Sequence, residues 1–192
     1  MVLAVALVAV PAQAAFITSI SGSDVNTAYN PGVLSITDTI ELVVQYDNNS
    51  QVSFNGVQVT FTSSLVTDNS GAAAAGTFGG GSYTIVDSAS NVLLAGTITG
   101  VDLGGLFGGY ILAGQGVVTM DSGTLLAQMP AGSTQADLVN IIYSLVPAPV
   151  NNFGGAFEGG TNLTIMPMPI PEPATLVLLG LGSLTLIRRK RA

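Results

Sequence analysis

The chain has 192 residues, of which 48% are hydrophobic, 6% aromatic and 8% charged, and it carries 24 glycines and a formal net charge of −7. That length holds one globular domain plus processing segments, and sustained hydrophobicity with so little charge excludes wholesale disorder. Cysteine, histidine and tryptophan are absent, which excludes disulfides, thiolate nucleophiles, Cys- or His-based metal sites and the usual general base of neutral pH.

The placement of charge says more than its total. All four basic residues, Arg188, Arg189, Lys190 and Arg191, stand together at the C-terminus, and everything before them carries acids alone. The body therefore has no cation to pair with its acids or to neutralise a phosphate backbone, so no nucleic-acid partner is expected. Polysaccharide and divalent cations remain compatible partners.

In chain order, Met1 to Val10 form a short apolar core, Pro11 breaks it, and Ala12-Gln13-Ala14 makes a small-x-small cleavage box. This pattern predicts a secretory signal peptide over residues 1–14, with cleavage between Ala14 and Ala15. No Lys or Arg precedes the apolar core, so the true start is expected upstream. The body, 15–166, is rich in small and β-branched residues and predicts an all-β fold. Thr39 to Tyr46 reads as a strand closed by the turn cluster Asp47-Asn48-Asn49-Ser50. Asn55-Gly56 between two alternating runs predicts a hairpin with a type I′ turn. Further strands are expected at Tyr83–Val86, Val92–Leu103, Tyr110–Met120 and Asn162–Ile165, with Gly-rich loops over Ser70–Gly81 and Gly104–Gly109. Ser133 to Leu145 places Ala136, Val139, Ile142 and Tyr143 on one stripe and reads as a helix, with a strand as the alternative. Short strands at regular spacing suggest a β-sandwich, jelly-roll-like.

The C-terminal stretch 167–192 is built differently. Pro167, Pro169, Pro171 and Pro173 make a stiff, extended spacer. Residues 174–187 are apolar and uncharged and predict a single transmembrane helix, somewhat short for the hydrocarbon core. The basic residues 188–191 then anchor that end on the cytoplasmic side and place the body outside.

Pro171-Glu172-Pro173, an apolar stretch and an Arg-rich end, in that order, resemble the PEP-CTERM sorting tail of Gram-negative bacteria. The same tail is also described as the C-terminal region of ice-binding proteins. The resemblance covers about 25 residues; like other tails of this kind, it implies recognition by a membrane-embedded exosortase and cleavage near the Pro-Glu-Pro motif. With the N-terminal segment pointing to signal peptidase and the export machinery, the resemblance implies delivery to the cell surface or extracellular matrix and an association with exopolysaccharide and biofilm.

Chemistry in the body is thin. Asp47–Ser50, Asp68–Gly71 and Asp87–Asn91 concentrate oxygen ligands but lack the alternating acids and terminal Glu of a calcium loop, and they read as β-turns. Asp38 with Glu41, or Asp102 with Asp121, are the carboxylate pairs a glycosidase would need, although no aromatic platform surrounds them. Thr18, Thr60, Thr62, Thr97 and Thr99 stand at alternate strand positions, as an ice-binding ladder would require. The expectation is therefore a structural or interaction protein of the surface or matrix, with no catalytic residues, metal or cofactor. The alternative is a carbohydrate-binding module, calcium-assisted, with Tyr29, Tyr46, Tyr83 and Tyr110 as sugar contacts. A matrix hydrolase and an ice-binding protein come after these.

Overall fold

A computed structural model describes residues 15–168. The described chain is a single antiparallel sheet of eight strands closed into a barrel in sequence order. The strands are β1 (Ile17–Asn30), β2 (Val33–Tyr46), β3 (Gln51–Asp68), β4 (Ala75–Val86), β5 (Val92–Leu106), β6 (Ile111–Thr119), β7 (Gln135–Val146) and β8 (Phe157–Pro167). Closure is made by β1 against β8, paired from Ile20↔Ile165 to Tyr29↔Phe157 with one register shift between Gly22 and Val25.

The all-β expectation stands and the sandwich does not. A sandwich of short strands separates two sheets, whereas here long strands run through and are bent. The bends are β-bulges: register shifts interrupt the pairing of β1 with β2 between Gly22 and Thr27, of β2 with β3 between Ile40 and Leu42, and of β7 with β8 between Tyr143 and Val146. Such bulges add twist and curl a sheet towards closure. Glycines inside the strands help at the tight points. A Cβ on Gly81 would lie 1.8 Å from the Thr62 carbonyl oxygen, and one on Gly96 would lie 1.9 Å from that of Thr119.

Two local expectations are corrected for the same reason. The Asn55-Gly56 pair is not a hairpin turn. Ile40 pairs with Val57 and Leu42 with Phe54, so two residues of β3 face one of β2, and Gly56 sits at φ +66° as a bulge residue. The turn lies at Asp47–Ser50 instead, where the Asn49 N–H donates to the Tyr46 carbonyl. Ser133 to Leu145 is not a helix, because β7 pairs along its whole length with β6 and β8. Its β-branched residues fit a strand buried on one face, and Ala136, Leu138, Asn140 and Ile142 point inward as alternate residues.

The barrel is filled by side chains, as an eight-stranded barrel of this width allows. Leu34, Ile36, Val44, Val57, Leu94, Leu112 and Ile142 are all fully buried. The outer face alternates Thr, Ser, Gln and Asn, as in the cross-strand rows Ser35–Thr62–Ser82–Thr97 and Thr37–Thr60–Thr84. Apolar inside and polar outside is the reverse of a lipid-facing barrel. Among the described residues no helix is long and apolar enough to cross a membrane; the segment 174–187, expected to form one, lies outside the described residues.

Each end of the barrel is closed differently. The β7–β8 connection folds Phe153 into one end. Its ring packs edge-on against Phe78 (centroids 5.2 Å apart) and Tyr29 (5.6 Å), and Tyr29 stacks on Phe157 at 5.1 Å. The Tyr29 hydroxyl donates to the Phe153 carbonyl at 2.7 Å, fixing the plug. The opposite end is covered by Leu125 and Met129 from the β6–β7 connection. Because the strand number is even, Phe16 and Met168 leave from this same second end.

Candidate binding groove and sorting motif

The sequence-proposed residues divide sharply by where they fall. Ala12, Ala14, Pro171, Glu172, Pro173, Arg188, Arg189, Lys190 and Arg191 lie outside the described residues, and Ala15 is exposed at the rim where the chain enters. The exit is well fixed. The Met168 N–H donates to the Gln135 carbonyl at 2.9 Å, and the Ser133 hydroxyl donates to the Met168 carbonyl at 2.8 Å. The stretch that follows therefore starts from an anchored position.

Asp102 and Asp121 do not assemble. Asp121 stands beside Ala95 at the start of β5, while Asp102 lies seven residues further along that strand, a separation of about 23 Å of extended chain. Asp102 accepts from the Thr77 hydroxyl at 2.7 Å. Asp38 accepts from the backbone N–H groups of Asn26 (3.0 Å) and Thr39 (2.7 Å), filling the β1 bulge. The oxygen-rich loops turn onto themselves. Asp87 accepts from the Asn91 amide and from the backbone of Ala89 and Asn91, and Asp68 accepts from the Ser70 N–H. These bonds hold both carboxyls below the usual range, with the Asn91 side chain the largest cause for Asp87 and the Ser70 side chain for Asp68.

The proposed sugar-contact tyrosines are mostly inside. Tyr29 and Tyr83 are core residues, and burial pushes the Tyr83 hydroxyl up. Tyr46 is half-buried with its hydroxyl on Gln128. Tyr110 is exposed, beside Phe107 on the rim opposite the chain exit. Of the threonines, Thr97 shares its hydroxyl with Thr119 at 2.8 Å, and Thr18 donates to the Gln45 carbonyl.

What sequence reasoning missed is a groove on the outer face. Along the closing seam, Ala28, Gly159 and Gly160 leave a floor without large side chains, and the walls carry Asn26, Ser35, Thr37, Ser144 and Glu158 around an open volume of about 480 Å³. A second hollow of about 290 Å³ lies further along the same strands, between Ser21, Ser23, Glu41, Asn162 and Thr164. Between them the Tyr143 hydroxyl donates to Asp24 at 3.0 Å, and the Asp24 N–H donates to Asn162. Partial desolvation, then the bond to Asp24 and its charge, raise the Tyr143 hydroxyl above its ordinary value. The signal in the sequence was Glu158-Gly159-Gly160, a glycine pair inside a strand, but only the register shows that Glu158 faces Ala28 and the glycines face Thr27 and Asn26.

A family model for the PEP-CTERM protein-sorting motif matches residues 169–191, beginning one residue beyond the anchored Met168. The chain carries a PEP-CTERM sorting motif. The motif implies export and membrane-associated processing by an exosortase, which agrees with the resemblance noted from Pro171-Glu172-Pro173 and the basic end. It covers the tail and not the barrel. Comparison with curated proteins and with solved structures found no match for the chain.

Proposed function

We propose that this protein is a non-enzymatic surface or matrix protein of a Gram-negative bacterium, delivered through its PEP-CTERM motif and acting through the outside of its barrel. The observation that carries this reading is the junction at Met168. A sorting motif follows directly on a closed, side-chain-filled barrel whose outer face is polar and, among the described residues, without a cation. Such a body has no interior for a small substrate, Asp102 and Asp121 are far apart, and Asp38 is engaged by backbone, which supports a binding or structural role over hydrolysis. Its curved face, with Thr97 and Thr18 already bonded, supports the matrix reading over an ice-binding ladder.

The test is processing in the native host. Glu172→Gln, or removal of Arg188–Arg191, should leave unprocessed precursor in the membrane fraction, whereas the parent chain is released with a mass starting at Ala15 and ending near Pro171–Pro173. Release of mature protein from both variants at the parent's level would overturn the sorting route.

A further inference from the structure

The two outer hollows lie one after the other on the β1–β8 seam. Cross-strand registers place Ser35, Ala28, Glu158 and Val146 in one row across four strands, and Asn26, Gly160 and Tyr143 in the next. Val43, Ser21 and Thr164 make the equivalent row of the second hollow. The link between them is built from side chains of both. Asn162, which lines the second hollow, accepts from the Asp24 N–H, and the Asp24 carboxylate lies 3.0 Å from where a Cβ on Gly160, in the floor of the first, would stand. The two hollows, with the Tyr143–Asp24 bridge between them, make an interrupted trough that follows β1 from Ser21 to Ala28, about 23 Å at strand rise.

The backbone around this trough is special. Among the described residues, five other than glycine have φ between +50° and +67°. Asn49, Ser90 and Phe107 lie in turns or a 3₁₀ segment, and only Asp24 and Ser144 lie inside strands. Both stand in the bulges that border the trough, where bulges re-aim side chains, and left-handed backbone in a non-glycine residue persists only where the surroundings enforce it.

The chemistry of the walls selects a ligand. Hydroxyls and amides (Ser35, Thr37, Asn26, Asn162) offer donors and acceptors, whereas Glu158, Glu41 and Asp24 only accept. No cation stands among the described residues, so a polyanion would meet uncompensated repulsion. A strand of hydroxyl donors matches both the carboxylates and the open, elongated shape.

We propose that the β1–β8 trough binds an uncharged, hydroxyl-rich polysaccharide chain lying along β1, with Glu158 accepting from sugar hydroxyls and Tyr143 as a ring at its midpoint. This rests on the matrix reading above and names the ligand class for it. The test is isothermal titration of the full chain, held in a detergent without a sugar headgroup, with a linear neutral glucohexaose and with a hexauronate of equal length. Saturable binding of the glucohexaose and none of the hexauronate is expected. Thr37→Trp, which fills the larger hollow, should abolish binding, while Thr84→Trp, two strands away on the same face, should leave it unchanged. Glu158→Gln should weaken binding about tenfold, as losing one charge-assisted hydrogen bond implies. No binding of glucohexaose by the parent chain, equal binding by Thr37→Trp, or preference for the hexauronate would overturn the proposal. A chain that fails here yet is retained in the native matrix overturns the trough and leaves the matrix reading standing; the reverse pattern overturns retention alone.

Discussion

Asn140 points into the barrel from β7, is 1% exposed, and neither its amide nitrogen nor its carbonyl oxygen has a hydrogen-bond partner among the described residues. Its neighbour on β6, Gly114, makes room for it, since a Cβ there would lie 1.7 Å from the Asn140 oxygen. The contrast is with Thr27 and Thr161, which are equally buried but bond to each other across β1 and β8. A buried polar group without a partner costs about 1–3 kcal/mol. Asn140→Val, which removes both polar atoms with a modest change in volume, should therefore raise the urea midpoint by roughly 1 kcal/mol equivalent with an unchanged slope. A lower midpoint would show that Asn140 is compensated. The residue scale is also where the sequence was least readable. Asn140 stands between Val139 and Ile141, and nothing local says which of the three faces inward. Tyr29 and Tyr83 were readable as large and amphipathic, but only the register decides that both point in and Tyr143 out.

At the scale of elements, the sequence announced strands and hid where they bend. β-branched runs and alternation located parts of β2, β3, β5 and β6, because those patterns reflect one buried face. Glycine misled, since the same residue serves a turn and a bulge. Asn55-Gly56 satisfies the local rule for a two-residue hairpin loop, yet the pairing of Val57 with Ile40 and Phe54 with Leu42 carries the strand through. The two uses of glycine can be separated by substitution. At Gly56 a Cβ meets nothing closer than Ser88 at 3.7 Å, so Gly56→Ala strains only its φ of +66° and should cost about 1–2 kcal/mol. Gly81→Ala would drive a Cβ to 1.8 Å from the Thr62 carbonyl oxygen and should prevent native pairing of β3 with β4. Thermal unfolding of the two variants checks this, and equal losses would contradict the distinction. At β7 the sequence leaves helix and strand both open for a related reason: an i, i+3, i+4 stripe and an alternating set overlap in a short apolar segment. Strand pairing on both sides decided it.

At the scale of the molecule, the tail was legible because order along the chain is itself the signal, and a local motif needs no tertiary context. Barrel closure was not, because it depends on pairing the first strand with the last, far apart in sequence. The charge pattern, also visible in sequence, has a consequence for stability. Among the described residues like charges act without opposing ones, so added salt should raise the unfolding midpoint by screening. Asp68 and Asp87 act in the other direction on acidification. Their folded values are lowered by bonds from Ser70 and Asn91, so they stabilise above the unfolded carboxylate value and lose that contribution as pH falls through the folded one. Stability should therefore drop below about pH 4, the region of an unperturbed Asp. Denaturant midpoints across pH and salt test both parts; a midpoint that falls with salt at pH 7 would contradict the repulsion argument.

The shared exit rim also has a mechanical consequence. Inter-strand hydrogen bonds lie across the strands, and β8 is bonded on one side to β7 and on the other to β1. A pull on Met168 along the strand axis, against a polymer gripped on the β1–β8 face, stretches these two ladders in shear, so that many bonds share the load at once. Peeling, which breaks them one after another, would require a pull across the sheet. Tension between a tether at the rim and a partner on the wall would thus meet the barrel along its most resistant direction.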